Sequence, residues 1–161
     1  VESYQDHFKI KTNKGDYKVE KVILAMGIFA KPKRLNIEGE DLDKVYHQLK
    51  DNQEVKDKHI LIVGGGNSAI EAAIKLSKNN DITLSYRRSK FIRLTEQNMK
   101  DFKKAVKKNN ITLLLDSTLE KMTKKTAIIR QNHIKTEIKN DMTFILIGFN
   151  HPKEFLNRIG A

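Results

Sequence analysis

Gly64, Gly66 and Ala69 stand at G-x-G-x-x-A spacing within Gly64-Gly65-Gly66-Asn67-Ser68-Ala69. A turn of that kind can hold the pyrophosphate of a dinucleotide. Gly64 would allow the tight turn, and Gly66, lacking a Cβ, would let a pyrophosphate lie close to the backbone. Ala69 would let a helix pack closely on a strand. Free N–H groups at the helix start, with the positive end of its dipole, would attract the phosphates.

A second cluster follows about twenty residues later. An NAD site usually carries Asp or Glu at the end of the second strand, holding the ribose 2′-OH. Here that position is Ser85-Tyr86, followed by Arg87, Arg88, Lys90 and Arg93. A carboxylate would repel a 2′-phosphate, whereas guanidinium groups would bind it. Each charge-assisted hydrogen bond contributes roughly 1.5–3 kcal/mol, so two would favour NADPH over NADH by roughly a hundredfold or more. Tyr86 or an arginine plane could stack on the adenine.

These clusters need a strand and a helix on either side of the turn. His59 to Val63 is an apolar run of buried-strand type, and 67–79 carries Ala69, Ile70, Ala73, Ile74 and Leu76 at helical spacing. The next strand is 81–86. Thr95 can N-cap a helix over about 95–109, with Asn98 three residues on and Met99, Phe102 and Val106 along one face. Asn109-Asn110 ends it. Strand 111–115 follows, then short alternating segments at 118–123, 126–131 and 134–139 that read as a β-meander, then strand 142–147 closed by Gly148. Residues 4–11 and 17–24 alternate around Asn13-Lys14-Gly15-Asp16 as a hairpin. Residues 28–56 read as an irregular crossover. The order suits an α/β, Rossmann-like domain: a parallel sheet ordered 3-2-1-4, with the meander replacing the last crossover helix.

Composition narrows the function. The chain has 161 residues, 39 % hydrophobic and 32 % charged, enough for one domain with a core. No apolar run approaches the ~20 residues of a membrane span, so a membrane partner is not expected. Cysteine is absent, which excludes disulfides, cysteine zinc sites and a redox dithiol within this chain, and which fits a reducing, cytoplasmic setting. The five histidines, His7, His47, His59, His133 and His151, show no metal-ligand spacing, and no metal is expected. Net charge is +11, but the lysines are dispersed and no basic run is interleaved with aromatics, which disfavours nucleic acid. The chain has no initiator Met and ends at Ile159-Gly160-Ala161, so it reads as a piece of a longer protein.

Val22-Ile23-Leu24-Ala25-Met26-Gly27, then Pro32 and Gly39, resembles the strand-plus-glycine motif leading from the FAD domain to the NADPH domain of two-dinucleotide-domain flavoproteins. Gly64-Gly65-Gly66-Asn67-Ser68-Ala69 and Tyr86-Arg87-Arg88 match that family's two NADPH motifs, and Phe144-Ile145-Leu146-Ile147-Gly148-Phe149 is similar to its second strand-glycine motif. The similar branches are thioredoxin reductase-like proteins, ferredoxin–NADP reductases of the same type and bacillithiol-disulfide reductase-like proteins.

The resemblance implies a three-layer NADPH-binding domain at 58–150, preceded by an FAD-domain hairpin remnant at 1–30 and a crossover at 31–57. Residues 151–161 would begin the return to the FAD domain. It implies that Gly64, Gly65, Gly66, Asn67, Ser68 and Ala69 meet the pyrophosphate, that Glu71 lies near the nicotinamide ribose, and that Arg87, Arg88 and Arg93 hold the 2′-phosphate. Ile147, Gly148 and Phe149 would border the cofactor. No residue here acts as acid or base, because NADPH and FAD carry the chemistry. The piece alone is expected to bind nucleotide without turning over, and the full-length protein to carry FAD and form a homodimer.

Two features depart from the family. The C-x-x-C expected some twenty residues before the glycine turn is replaced by Asp43-Lys44-Val45-Tyr46-His47-Gln48-Leu49, which argues against direct thioredoxin reduction. His47 there reads first as a linker histidine and second as a neighbour of the flavin. Arg93 also comes one residue later than the family's Arg-Arg-x-x-x-Arg spacing. The electron acceptor, a protein or a small disulfide, stays open. A flavin monooxygenase NADPH domain and a non-catalytic nucleotide- or nucleic-acid-binding module rank behind the reductase reading.

Overall fold

A computed structural model of the chain describes residues 1–23, 32–50, 55–108, 111–150 and 157. The Leu24-Ala25-Met26-Gly27 motif, Asn109-Asn110 and nearly all of 151–161 lie outside them. The chain separates into two compact units, Val1–Lys31 with Phe149–Ala161, and Pro32–Gly148.

In the smaller unit, strands β1 (Glu2–Ser3), β2 (Phe8–Thr12) and β3 (Gly15–Val19) form an antiparallel sheet in that order. The hairpin is tighter than its alternation predicts. Gly15 and Asp16 pair with Thr12 and Lys11, leaving Asn13-Lys14 as a two-residue turn. Thr12 Oγ1 accepts from the Lys14 N–H at 3.0 Å and donates to the Gly15 carbonyl at 2.9 Å. Tyr4 does not begin a strand. Its N–H donates to the His7 carbonyl and its ring stacks on His7 at 4.8 Å, folding β1 back onto β2.

The larger unit is built on a parallel sheet in the order β4-β11-β5-β6-β7. Its strands are β4 (Val45–Tyr46), β5 (His59–Val63), β6 (Asp81–Ser85), β7 (Ile111–Leu114) and β11 (Met142–Ile145). The β7-β6-β5-β11 portion is the expected 3-2-1-4 order. Successive side chains of a strand face opposite ways, and β5 divides accordingly. Ile60 and Ile62, with Ile82, Leu84 and Phe144, face helices α1 (Asn67–Leu76) and α2 (Glu96–Lys108). Leu61 and Val63, with Ile145, face an antiparallel meander of β8 (Ser117–Met122), β9 (Thr126–Gln131) and β10 (Ile134–Lys139). The result is three layers: helices, parallel sheet and meander.

Three details differ from the sequence reading. Helix α1 stops at Leu76, not 79. The buried Asn80 carboxamide donates to the carbonyls of Leu76 and Val55, each at 2.8 Å, taking a terminal carbonyl that the helix would leave unpaired. In α2, Phe102 is buried beside Ala105, while Val106 is 36 % exposed; the helix rolls so that the small alanine meets the sheet.

The crossover is also more ordered than expected. Val45 and Tyr46 pair in parallel with Thr143 and Phe144 as a fifth strand, and the Tyr46 ring packs 5.5 Å from that of Phe144. Upstream, the buried Glu40 carboxylate accepts the N–H groups of Leu35 (2.9 Å) and Asn36 (2.7 Å). Gly39 sits at φ +87° with no room for a Cβ against the Met122 carbonyl, so the crossover runs flush along β8. Among the described residues, no helix is long and apolar enough to cross a membrane.

Candidate functional site

The glycine turn joins β5 to α1 at the carboxyl ends of the parallel strands, where open α/β sheets bind their ligands. Its glycines do three different jobs. Gly64 has φ +150°, and a Cβ there would strike the Leu146 carbonyl and the Ala69 side chain. Its N–H donates to the Ser85 carbonyl at 3.0 Å, and the Leu146 N–H donates to Val63 at 2.8 Å. Gly64 therefore lets the ends of β6 and β11 close around the turn. A Cβ on Gly65 would fall on the Tyr86 ring. Gly66 is different: a Cβ there would meet nothing within 4 Å, so the space in front of it is open.

Gly66 is also the N-cap of α1, with no side chain capping the helix. Its carbonyl accepts from Ala69 (3.1 Å) and Ile70 (3.2 Å), leaving the N–H groups of Asn67 and Ser68 as the uncapped first-turn donors. Ser68 is exposed, Gly66 and Asn67 are half-buried, and Ala69 is fully buried against the sheet.

The basic cluster forms the connection from β6 to α2. Ser85 is fully buried, and its hydroxyl lies 2.8 Å from that of Ser117; no carboxylate stands at the strand end. Tyr86 is half-buried, stacked on Phe91 at 5.2 Å, and Phe91 meets Phe102 edge-on at 5.7 Å. The Tyr86 ring is thus committed to this aromatic stack and also lies against Gly65. Arg87, Arg88, Lys90 and Arg93 are all exposed. Among the described residues, none of the four has an ion-pair partner. The structure brings the late-spaced Arg93 to the turn through a parallel backbone bridge with Gly66.

Beyond β11, Ile147 is half-buried against the meander-side core, and Gly148, at φ +93°, accepts from the Lys33 N–H at 3.0 Å. Phe149 is 41 % exposed and belongs to the smaller unit.

Sequence reasoning missed the partners of Asn67 and Glu71. Asn67 Oδ1 accepts from the Thr95 N–H (3.1 Å) and from Asn98 Nδ2 (3.0 Å), and Asn98 Nδ2 also donates to Glu71 Oε1 (2.8 Å). The sequence shows Asn98 only as the residue three beyond the Thr95 cap, where its N–H indeed meets Thr95 Oγ1 at 3.3 Å. Among the described residues, no His, Asp or Glu cluster could hold a metal. His47 Nδ1 is buried without a described partner.

A polar hollow of about 590 Å³, lined by residues including Lys56, His59, Asn80 and Asp81, lies at the opposite, amino ends of β5 and β6. The glycine turn combines open backbone donors with exposed cations that have no ion-pair partner among the described residues. The fold is a Rossmann-like three-layer α/β domain.

Comparison with known proteins refines that class. The family model described as pyridine nucleotide-disulphide oxidoreductase matches residues 1–161, and the chain belongs to that family. It is 30 % identical over 157 residues to the bacilliredoxin reductase Bdr of Bacillus subtilis, covering 96 % of this chain and 48 % of that protein. It is 31 % identical to a ferredoxin–NADP reductase of Thermus thermophilus, covering 91 % and 47 %. The structure superposes on a bacillithiol disulfide reductase from Staphylococcus aureus with a TM-score of 0.85 at 30 % identity, over 99 % of this chain and 50 % of that one. A thioredoxin reductase from Lactococcus lactis shares the fold, with a TM-score of 0.77 at 24 % identity. The chain spans about half the length of these curated relatives.

Proposed function

We propose that this chain is the NADPH-binding portion of a flavin-dependent oxidoreductase and holds NADPH for hydride transfer to FAD carried by the rest of the protein. The observation that carries this reading is the pairing of an uncapped helix start, open in front of Gly66, with four exposed unpaired cations on a loop bridged to that same glycine.

In this reading, the N–H groups of Asn67 and Ser68 hold the pyrophosphate, with Gly66 giving close approach. Gly64, Gly65 and Ala69 keep the turn compact beneath it. Arg87, Arg88 and Arg93 hold the 2′-phosphate, and Tyr86 lies beside the adenine. Glu71, Ile147 and Gly148 border the nicotinamide half. When bound, the nicotinamide supplies the hydride that the flavin accepts, so no side chain here has to move a proton. Selection between nucleotides rests on charge: the end of β6 offers guanidinium groups where an NAD site offers a carboxylate.

The electron acceptor of the whole protein is a small disulfide, a bacilliredoxin-type protein or a ferredoxin, the classes named in its relatives. This chain supplies no dithiol of its own. The test is the double variant Arg87→Ala with Arg88→Ala. Its affinity for NADPH should fall by about a hundredfold, with that for NADH changed less than about threefold. Equal losses for both nucleotides would refute the assigned role of the cluster. Salt-dependent DNA binding that NADPH does not displace would instead favour the nucleic-acid alternative.

A further inference from the structure

We propose that Asn98 is a positioning residue for nucleotide selection: its carboxamide clips the basic loop 86–95 to the glycine turn. The span between 2′-phosphate cations and pyrophosphate donors is thereby set before any nucleotide binds. This inference rests on the NADPH reading above.

The loop is fastened at both ends, by different means. At its root the fastening is backbone. Tyr86 N–H donates to the Leu114 carbonyl (2.9 Å), Ser117 N–H to the Tyr86 carbonyl (3.1 Å), and Asp116 N–H to the Arg88 carbonyl (3.2 Å). These bonds hold Arg87 and Arg88 to the β7–β8 turn, not to the phosphate cradle. At its far end, Arg93 forms the bridge to Gly66, and everything else is side chain. Asn67 Oδ1 takes the Thr95 N–H and one N–H of Asn98. The other N–H of Asn98 goes to Glu71 Oε1.

The inventory closes. A carboxamide nitrogen has two protons, a carboxamide oxygen two lone pairs, and both are fully used. Two consequences follow. Asn67 Oδ1 is already occupied, so any part of Asn67 in phosphate binding falls to its donors, the backbone N–H and Nδ2. And Asn98, which has no cation and lies on α2, governs where the loop's end sits relative to α1. A loop held in its binding geometry does not lose that freedom on binding, and the saving appears in affinity. Because Arg93 is next to the clip, the saving applies to the 2′-phosphate and not to the nucleotide as a whole.

Asn98→Asp is the sharp test. It is isosteric, but it replaces the donor with a carboxylate facing the Glu71 carboxylate and the Asn67 oxygen, so the clip opens. Asn98→Ala removes the clip without repulsion and carries the same test should the Asp variant fail to fold. Titration calorimetry with NADP⁺ and NAD⁺ on each variant reads the selectivity ratio, which a loss of helix packing would leave unmoved. NADP⁺ affinity should drop about tenfold, the loss when one charge-assisted contact is no longer held in place. NAD⁺ affinity should change less than about twofold in Asn98→Ala, whereas in Asn98→Asp the new carboxylate beside the pyrophosphate turn weakens both nucleotides and the fall in the ratio is what is read. Exchange of the Thr95 amide proton, bonded to Asn67 in the parent, should accelerate in both variants. A parent chain that prefers NADP⁺ with variants of unchanged ratio overturns the clip alone. A parent chain with no preference overturns the NADPH reading, and the inference with it.

Discussion

Gly64 and Gly66 lie two residues apart in one turn, yet alanine at each should have opposite effects. At Gly64 the backbone has φ +150°, and a Cβ would strike the Leu146 carbonyl and Ala69. Alanine there is conformationally strained and sterically blocked where β5, β11 and α1 meet. The strain costs about 1–3 kcal/mol and overpacking a further ~1–3 kcal/mol. In a domain of this size that lowers Tm by roughly 2–4 °C for each kcal/mol. At Gly66 the backbone is extended, with φ −96° and ψ 177°, a conformation any residue adopts, and a Cβ meets nothing. Alanine restricts the unfolded chain by about 0.4–1 kcal/mol but is a poorer N-cap than glycine by a similar amount. The two effects nearly cancel, so Tm should move by no more than about 3 °C. The added methyl does, however, occupy the space assigned to the pyrophosphate. NADPH affinity should fall at least about tenfold, equivalent to ~1.4 kcal/mol. Thermal melts with calorimetric titration on the two variants separate the roles. A Gly66→Ala variant that melts like the parent and binds NADPH like the parent would refute the cradle.

Further predictions concern the frame around the site. Glu40→Gln keeps one acceptor oxygen where two backbone N–H groups need them, so it should destabilise the larger unit by about 1–3 kcal/mol, read from the denaturant midpoint. Gly65→Ala should displace the Tyr86 ring from its stack on Phe91, visible as a change in tyrosine fluorescence, and should weaken NADPH and NADH binding together. On β8, hydrogen bonds from Lys135 (2.8 Å) and Arg130 hold the Glu120 carboxyl below its ordinary value of 4.5. A depressed carboxyl contributes stability above that value and loses it as pH falls through the folded-state value. Denaturant midpoints of the parent should therefore drop more steeply below about pH 4.5 than those of Glu120→Gln. Parallel acid limbs would show that the pair adds nothing.

The sheet was legible because its strands announce themselves. Ile60 to Val63 is apolar on both faces, as a strand covered by helices on one side and a meander on the other must be. The chain order then leaves few topologies. What escaped has physical reasons. Strand β4 is two residues long, too short for any period. Ala105 and Val106 are both apolar neighbours, and only contact with the sheet decides which is inside. The Glu40 carboxylate looks like one more surface charge until Leu35 and Asn36 turn their N–H groups to it. The nucleotide motifs could be read as residue types at a spacing. The fastening of Asn98 to Asn67 could not, because the two are 31 residues apart and belong to different helices. The spacing already separated Gly64, the tight turn, from Gly66, the close approach, whereas the task of Gly65 beneath Tyr86 follows only from what surrounds its absent Cβ.

The central claim is that a phosphate-binding turn and a basic loop act together on one nucleotide. It is tested most directly by titrating this 161-residue chain with NADPH and with NADH under the same salt. The account predicts binding of both, with NADPH tighter by about a hundredfold and the gap narrowing as salt is raised. Equal affinity for the two, or no binding of either, would contradict it.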